Sequence, residues 1–275
     1  MNILKTPIYI IAKKELMDNI RNKWIIVISA LFTALVLLAS FGGSYWKDFE
    51  LTISALSSIV YFIIPIIGLM LGYASIIGEI ERGSMNSLLA HPLKRVEVVI
   101  GKFLGNATVL SLSILIGFGI AGIVISLNTS NPNYGLYLLF IAVSILLGLV
   151  FLSLSMCFSA FLKRRSLSMG VSILFYFLLT IIWSFFSSII LVTANSMEDL
   201  QAGNITFPDS YFAVNMVNPV TAYSGVIELN LAPGRSGILT GYPSFYNVGL
   251  LLLSIFIWLV IPLILSSIQF NRKDV

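Results

Sequence analysis

The sequence predicts an all-α integral membrane protein: six transmembrane helices, both termini cytoplasmic, and an N-terminal interfacial helix ahead of the first span. Three observations predict it. Six apolar stretches are each at least 18 residues long, none contains a charged residue, and Lys and Arg fall almost wholly on one side of them. About 20 residues cross the roughly 30 Å hydrocarbon core as a helix, so each stretch is long enough. At 58% hydrophobic and 10% charged, the composition lies far from soluble proteins, in which about a quarter of residues carry charge. A transmembrane barrel would show short alternating strands instead.

The elements follow in chain order. Residues 6–23 read as a helix, with Pro7 at an early helical position and Ile8, Ile11, Leu16 and Ile20 as apolar anchors among Lys13, Lys14, Glu15, Asp18 and Arg21. Such a segment either lies in the membrane interface, with a bend at Asn19 or Asn22, or simply extends the first span. The spans occupy residues 24–41, 51–77, 103–127, 134–162, 167–193 and 245–268. Pro65 removes a backbone donor from the middle of span two. Gly68 with Gly72, and Gly101 with Gly105, stand four residues apart and let a neighbouring helix approach closely. Asn106, Ser155, Thr180 and Ser184 are uncharged polar groups suited to helix-to-helix hydrogen bonds or to contacts with cargo. Residues 194–244 form a segment much longer than an ordinary connection. Its aromatic content and the Asn218-Pro219 and Pro233-Gly234 breaks predict short helices over 210–215 and 219–228. This segment acts as a gate, as a receptor for an extracytoplasmic partner, or as a lid on the bundle.

Charge sets the orientation. With the N-terminus inside, 14 of 16 Lys and Arg residues face the cytoplasm, and only Lys47 and Arg235 face outward. That is the positive-inside bias of short loops, so net charge here reports topology and not nucleic-acid binding. Cys157 is the one cysteine and His91 the one histidine, which leaves neither a disulfide framework nor a strong metal-ligand set.

The most distinctive inner segment covers residues 78–102. It runs from a charged patch, Glu79, Glu81 and Arg82, through Gly83 to a short apolar stretch with Met85, Leu88 and Leu89. Pro92 follows as a stop, and Arg95 and Glu97 begin a second charged turn. An apolar centre with a polar rim suits docking to a soluble partner. The alternative is packing against the chain's own helix ends.

Uncharged spans restrict the energy source. A charge at the bilayer centre costs about 2.5–3.5 kcal/mol on insertion scales and is kept where chemistry demands it. Proton relays and voltage sensors need such groups, and these spans have none. Sodium coupling through broken-helix carbonyls is disfavoured. No filter-like repeat marks a channel, and no base accompanies the abundant serines as an intramembrane protease requires. No Gly-rich loop ending in Gly-Lys-Ser/Thr exists either, so nucleotide hydrolysis belongs to another chain and this one is not itself an enzyme.

The inner segment also carries a resemblance. The run Ile11-Ala12-Lys13-Lys14-Glu15-Leu16 with Arg21-Asn22-Lys23-Trp24, and above all Gly78-Glu79-Ile80-Glu81-Arg82-Gly83-Ser84 with Leu88-Leu89-Ala90-His91-Pro92-Leu93, resembles the permease subunits of ABC-2 type ABC transporters. Gly101-Lys102-Phe103-Leu104-Gly105 completes the pattern. The likeness covers essentially the whole chain and points toward the branch serving nitrous oxide reductase maturation. It implies a dimer of six-helix units with two ABC ATPase (nucleotide-binding) subunits, which would hold ATP and Mg while this chain binds no cofactor directly. The leader would then be an elbow helix. Glu79, Glu81, Arg82, Gly83, Leu88, Pro92, Arg95 and Glu97 would form the ATPase-coupling region, with Gly83 relaxing the turn and Pro92 with Arg95 positioning the next helix. Export in the cell membrane, contact with membrane lipid and an extracytoplasmic maturation or delivery protein are further implications. Two other readings stand beside it: a non-transporting scaffold or sensor that docks an ATPase, and a secondary carrier working alone.

Overall fold

In the computed structural model, the described residues are 6–21, 23, 26–31, 33–34, 49–85, 93–129, 132–196, 198–199, 205–231 and 241–273. All secondary structure among them is helical. Five helices are long and apolar enough to cross a membrane: Phe49–Glu81, Arg95–Leu127, Tyr134–Phe161, Arg165–Ala194 and Val248–Arg272. The predicted first span lies largely outside the described residues, although 26–31 are helical.

Helix α1, Pro7–Arg21, starts at the proline that the sequence places there. It is not a plain extension of the first span. Lys23 takes a left-handed conformation (φ 58°), which no α-helix can continue through, and the chain turns there before residue 26. The bend falls one residue beyond Asn22.

Helix α2, Phe49–Gly72, runs unbroken through Pro65 and stops at a turn, residues 73–76, before the short α3, Ile77–Glu81. Backbone groups freed inside a membrane must find partners within the protein. Ser159 supplies one set: its Oγ accepts from the Ile76 and Ile77 amides at 3.1 and 3.0 Å. Ser168 Oγ donates to the Tyr73 carbonyl at 2.8 Å.

Helices α4 (Arg95–Asn128) and α5 (Tyr134–Phe161) follow. Then α6 (Arg165–Phe177), a single π-helical turn at Leu178–Ile182 and α7 (Trp183–Ala194) form one long rod. Helix α5 is the axis of the bundle: α2, α4 and α10 (Val248–Arg272) all pack on it. The paired glycines show why. A Cβ at Gly68 would lie 2.5 Å from the Gly148 carbonyl oxygen, so α2 approaches α5 backbone to backbone, and Ser155 Oγ fills the space at Gly72. Gly101 and Gly105 do the same for α1: Cβ atoms there would lie 2.8 Å from Ile11 Cβ and 2.5 Å from Glu15 Cβ. Both spacings are thus close-approach sites, each with a different partner.

The long segment before α10 contains α8 (Asp209–Val217) and α9 (Pro219–Glu228), close to the two helices predicted there. Asn218 caps α9 by accepting from the Val220 amide at 2.8 Å, and Pro219 occupies the first helical position. Val220, Tyr223, Val226 and Ile227 of α9 are fully buried against the bundle. Asn218 Nδ2 also donates to the Leu179 carbonyl at 2.6 Å, meeting a backbone acceptor in the π-helical turn.

Candidate functional site

The end of the bundle that carries α1 and α3 gathers its charges into one network. Lys102, one helical turn into α4 beyond Val98, is almost completely buried (side chain 1% exposed). A buried ammonium is tolerated only when paired. Lys102 Nζ contacts Glu15 Oε1 of α1 at 2.6 Å and Glu79 Oε1 of α3 at 2.8 Å. Lys14 adds a third ion pair to Glu79 Oε1 at 3.1 Å. Burial disfavours the Lys14 ammonium, but the Glu79 carboxylate, then Glu15 and Asp18, outweigh it and hold its pKa above the usual lysine value. Gly101 and Gly105 make this geometry possible, because they let α1 lie close enough for Glu15 to reach Lys102.

A cavity of about 470 Å³ opens beside the network, with Asp18, Asn19, Arg21, Glu79, Arg82 and Asn106 on its wall. Asn19 Nδ2 donates to Asn106 Oδ1 at 3.2 Å, adding a neutral α1–α4 tie. Glu79 Oε2 is buried and accepts no hydrogen bond from the described residues.

The residues expected to form a coupling region divide among several tasks. Glu79 ties α3 to α1 and α4. Glu81 reaches α6, accepting from the Arg165 amide at 2.8 Å and so capping that helix. Arg82 lines the cavity and is exposed. Gly83 is left-handed (φ 74°) with no atom near its missing Cβ, so the turn and not space selects glycine. Glu97 accepts from the Lys94 amide at 2.8 Å in a capping box, a purely local role. Arg95 acts across the molecule: Nη1 donates to the Phe270 carbonyl at 2.8 Å and to the Lys273 carbonyl, and its guanidinium stands over the Phe270 ring. It thus fastens the start of α4 to the end of α10. Leu88 and Pro92 lie outside the described residues. Met85 is completely buried among Ile11, Ile76, Val98 and Phe270, so it packs on the chain's own helices.

Sequence reasoning missed the partnership of Lys102 with Glu15. Lys102 was counted only among the charges flanking the spans; the two glycines bracketing it were the signal of a close neighbour. Of the polar residues noted in the spans, Ser155, Thr180 and Ser184 chiefly bond carbonyls of their own helices, Leu152, Tyr176 and Thr180, at 3.0, 2.7 and 2.7 Å. Asn106 alone among them stands at the charged network.

Roughly 20 Å away by helix rise along α2, a second cavity of about 290 Å³ is lined by Ser54, Ser58, Tyr61, Ser184, Ser224 and Glu228. Burial pushes the Glu228 carboxyl up to about 7. It forms no ion pair among the described residues.

Comparison with known proteins covers nearly the whole chain. Residues 9–275 match the family described as ABC-2 family transporter protein. A relative from Stutzerimonas stutzeri named "Probable ABC transporter permease protein NosY" is 31% identical over 277 residues, spanning 96% of this chain and 97% of its own. A relative of the same name from Pseudomonas aeruginosa is 36% identical over 184 residues, covering 62% and 67% respectively.

Proposed function

The chain belongs to the ABC-2 family of transporter permeases, and from that premise we propose that it is the six-span subunit of an ATP-driven exporter in the cell membrane. Hydrolysis takes place on a separate ABC ATPase that holds ATP and Mg, and this chain, paired with a second copy, converts it into movement of a substrate. Both termini face the cytoplasm, α1 is the elbow helix lying at the interface, and residues 78–102 receive the ATPase.

One observation carries this reading. The segment from Glu79 to Arg95 is bonded to four other helices: Glu79 to α1 and α4, Glu81 to α6, and Arg95 to α10. That segment is bonded directly to three of the five described spans, α4, α6 and α10, which supports a role as a transmission element. Arg82, exposed between these fastenings, is available to an acidic partner surface. Arg82→Glu is expected to weaken co-purification of the ATPase or to leave its hydrolysis uncoupled from transport, with the fold intact. Unchanged association and coupling would reject the assignment. Cargo flux in liposomes that requires both subunits and ATP separates this reading from a scaffold, and flux without nucleotide would overturn it.

The relatives named NosY support placing the chain in the branch for nitrous oxide reductase maturation. In that setting α8 and α9, on the side opposite the charged network, form the face offered to an extracytoplasmic maturation or delivery protein.

A further inference from the structure

The polar lining of the cavity beside Glu228 consists largely of acceptors. Ser57 and Ser58 of α2 each donate to the Ser54 carbonyl, at 2.7 and 3.2 Å, and Ser184 of α7 donates to the Thr180 carbonyl at 2.7 Å. Tyr61 directs its hydroxyl at the same Thr180 carbonyl, at 3.4 Å. All four residues line the cavity. Their hydroxyl hydrogens are spent on the backbone, so what they offer an occupant is oxygen lone pairs.

Glu228, the last residue of α9, adds the one charge. Its carboxylate forms no ion pair among the described residues, and no described Lys or Arg lines the cavity. Unlike Glu79 Oε2, its oxygens are not shut off from the space they border. Acceptors around a single carboxylate call for an occupant that brings positive charge and N–H donors together. A divalent metal fits poorly: no group of three His, Cys, Asp or Glu gathers among the described residues, and one carboxylate with serine hydroxyls is a weak ligand set. The volume of about 290 Å³ is roughly ten times one water's share of the liquid, so a bare ion would leave most of it empty. Phe62, Ile227 and Leu231 supply apolar wall for the remainder.

We propose that this cavity binds a small organic primary amine in its ammonium form. The ammonium sits against the Glu228 carboxylate and gives its remaining N–H groups to the hydroxyl oxygens, while a short apolar body rests on Phe62, Ile227 and Leu231. A quaternary ammonium brings charge without N–H, and an alcohol brings a donor without charge, so each satisfies half of the site. Binding depends neither on the ATPase nor on transport, and it stands apart from the function proposed above. The titratable neighbours of Glu228 among the described residues are tyrosines: Tyr61 of α2, Tyr211 of α8 and Tyr246 just ahead of α10. Phenols titrate near about 10, so Glu228 alone changes charge between about pH 5.5 and about pH 8. The empty site's carboxyl titrates at about 7, so binding tightens as pH rises through that value and the carboxylate forms.

The test uses the full-length chain in detergent and isothermal titration calorimetry, with benzylamine as probe against benzyl alcohol and benzyltrimethylammonium. Benzylamine is expected to bind at least about tenfold more tightly than either, and about tenfold more tightly at about pH 8 than at about pH 5.5. Glu228→Gln should weaken it at least about tenfold and erase the pH dependence. Ser58→Leu, at an exposed position, should weaken it by filling the cavity. The pH profile is read on the native chain, so it holds whether or not a variant folds. Equal binding of the three probes overturns the amine assignment, and a flat pH profile overturns the part given to Glu228. Displacement of benzylamine by an equal concentration of calcium or magnesium would assign the site to a metal. Binding that appears only in an Arg235→Gln chain would show that the chain's own guanidinium holds Glu228. Either result overturns the proposal.

Discussion

The two ends of this bundle are built on opposite principles. At the end that carries α1 and α3, ion pairs between Lys102, Glu15, Glu79 and Lys14 hold three helices together beside a helix break. At the other end, aromatic rings do the holding: Phe212 packs against Tyr211, Tyr242 and Tyr246, and Tyr223 of α9 is fully enclosed. Charge pairs are directional and lose much of their value when one partner leaves, whereas ring packing degrades gradually. The charged end therefore depends on specific pairs, and the aromatic end on shared packing.

The sharpest way to break the contrast is Lys102→Met. It removes the ion-pair partner of Glu15 and leaves Glu79 with Lys14 alone, and should cost about 3 kcal/mol, the lower end for breaking a buried pair, read as a drop in thermal stability of the solubilised chain. Neutralising the whole set, Lys102→Met with Glu15→Gln and Glu79→Gln, should recover most of that loss. If it does not, the network is held by packing and the comparison fails. The corresponding change at the other end, Tyr223→Ala, should cost about 3 kcal/mol, the lower end for a buried aromatic ring. Its hydroxyl partner Ser144 stays satisfied through the Phe140 carbonyl at 2.6 Å.

The aromatic end should respond to pH through Glu228. Its carboxyl titrates near 7 when folded, against an ordinary value of 4.5. The folded chain holds the proton where the unfolded chain has already lost it. Its contribution is thus full below about 4.5, declines as pH rises from there to about 7, and is lost above that, by up to about 2 kcal/mol after allowance for partial exposure. A melting series across that range should slope downward for the native chain and flatten for Glu228→Gln. The smallest effect belongs to Lys14→Ala, below about 1 kcal/mol and further reduced by salt, because the side chain is 46% exposed.

The sequence made the helices legible because length and composition decide them. Pro7 fixed the start of α1, and Asn218-Pro219 fixed the start of α9, each through a backbone property local to the residue. Partners were less legible. A Gly-xxx-Gly spacing announces a close neighbour without naming it, so nothing local told that Gly101 and Gly105 face α1 whereas Gly68 and Gly72 face α5. The break at 73–76 was hidden for the same reason: its hydrogen-bond partners, Ser159 and Ser168, lie over 80 residues away. Pro65, the one local sign of a weak point, turned out to sit in a continuous helix. At the site, Glu79 and Arg82 were found from their charge in an unusual inner segment, but Lys102 was hidden by its resemblance to any lysine flanking a span.

The joint after Gly72 has a mechanical consequence. A rigid rod would carry an axial load straight up α2 into the far side of the bundle. Here the rod is interrupted, and two hydroxyls bridge the gap: Ser159 Oγ serves two amides at once and Ser168 Oγ serves the Tyr73 carbonyl. Helix α3 is thus set off from α2 by a turn and tied sideways, through Glu79, to α1 and α4.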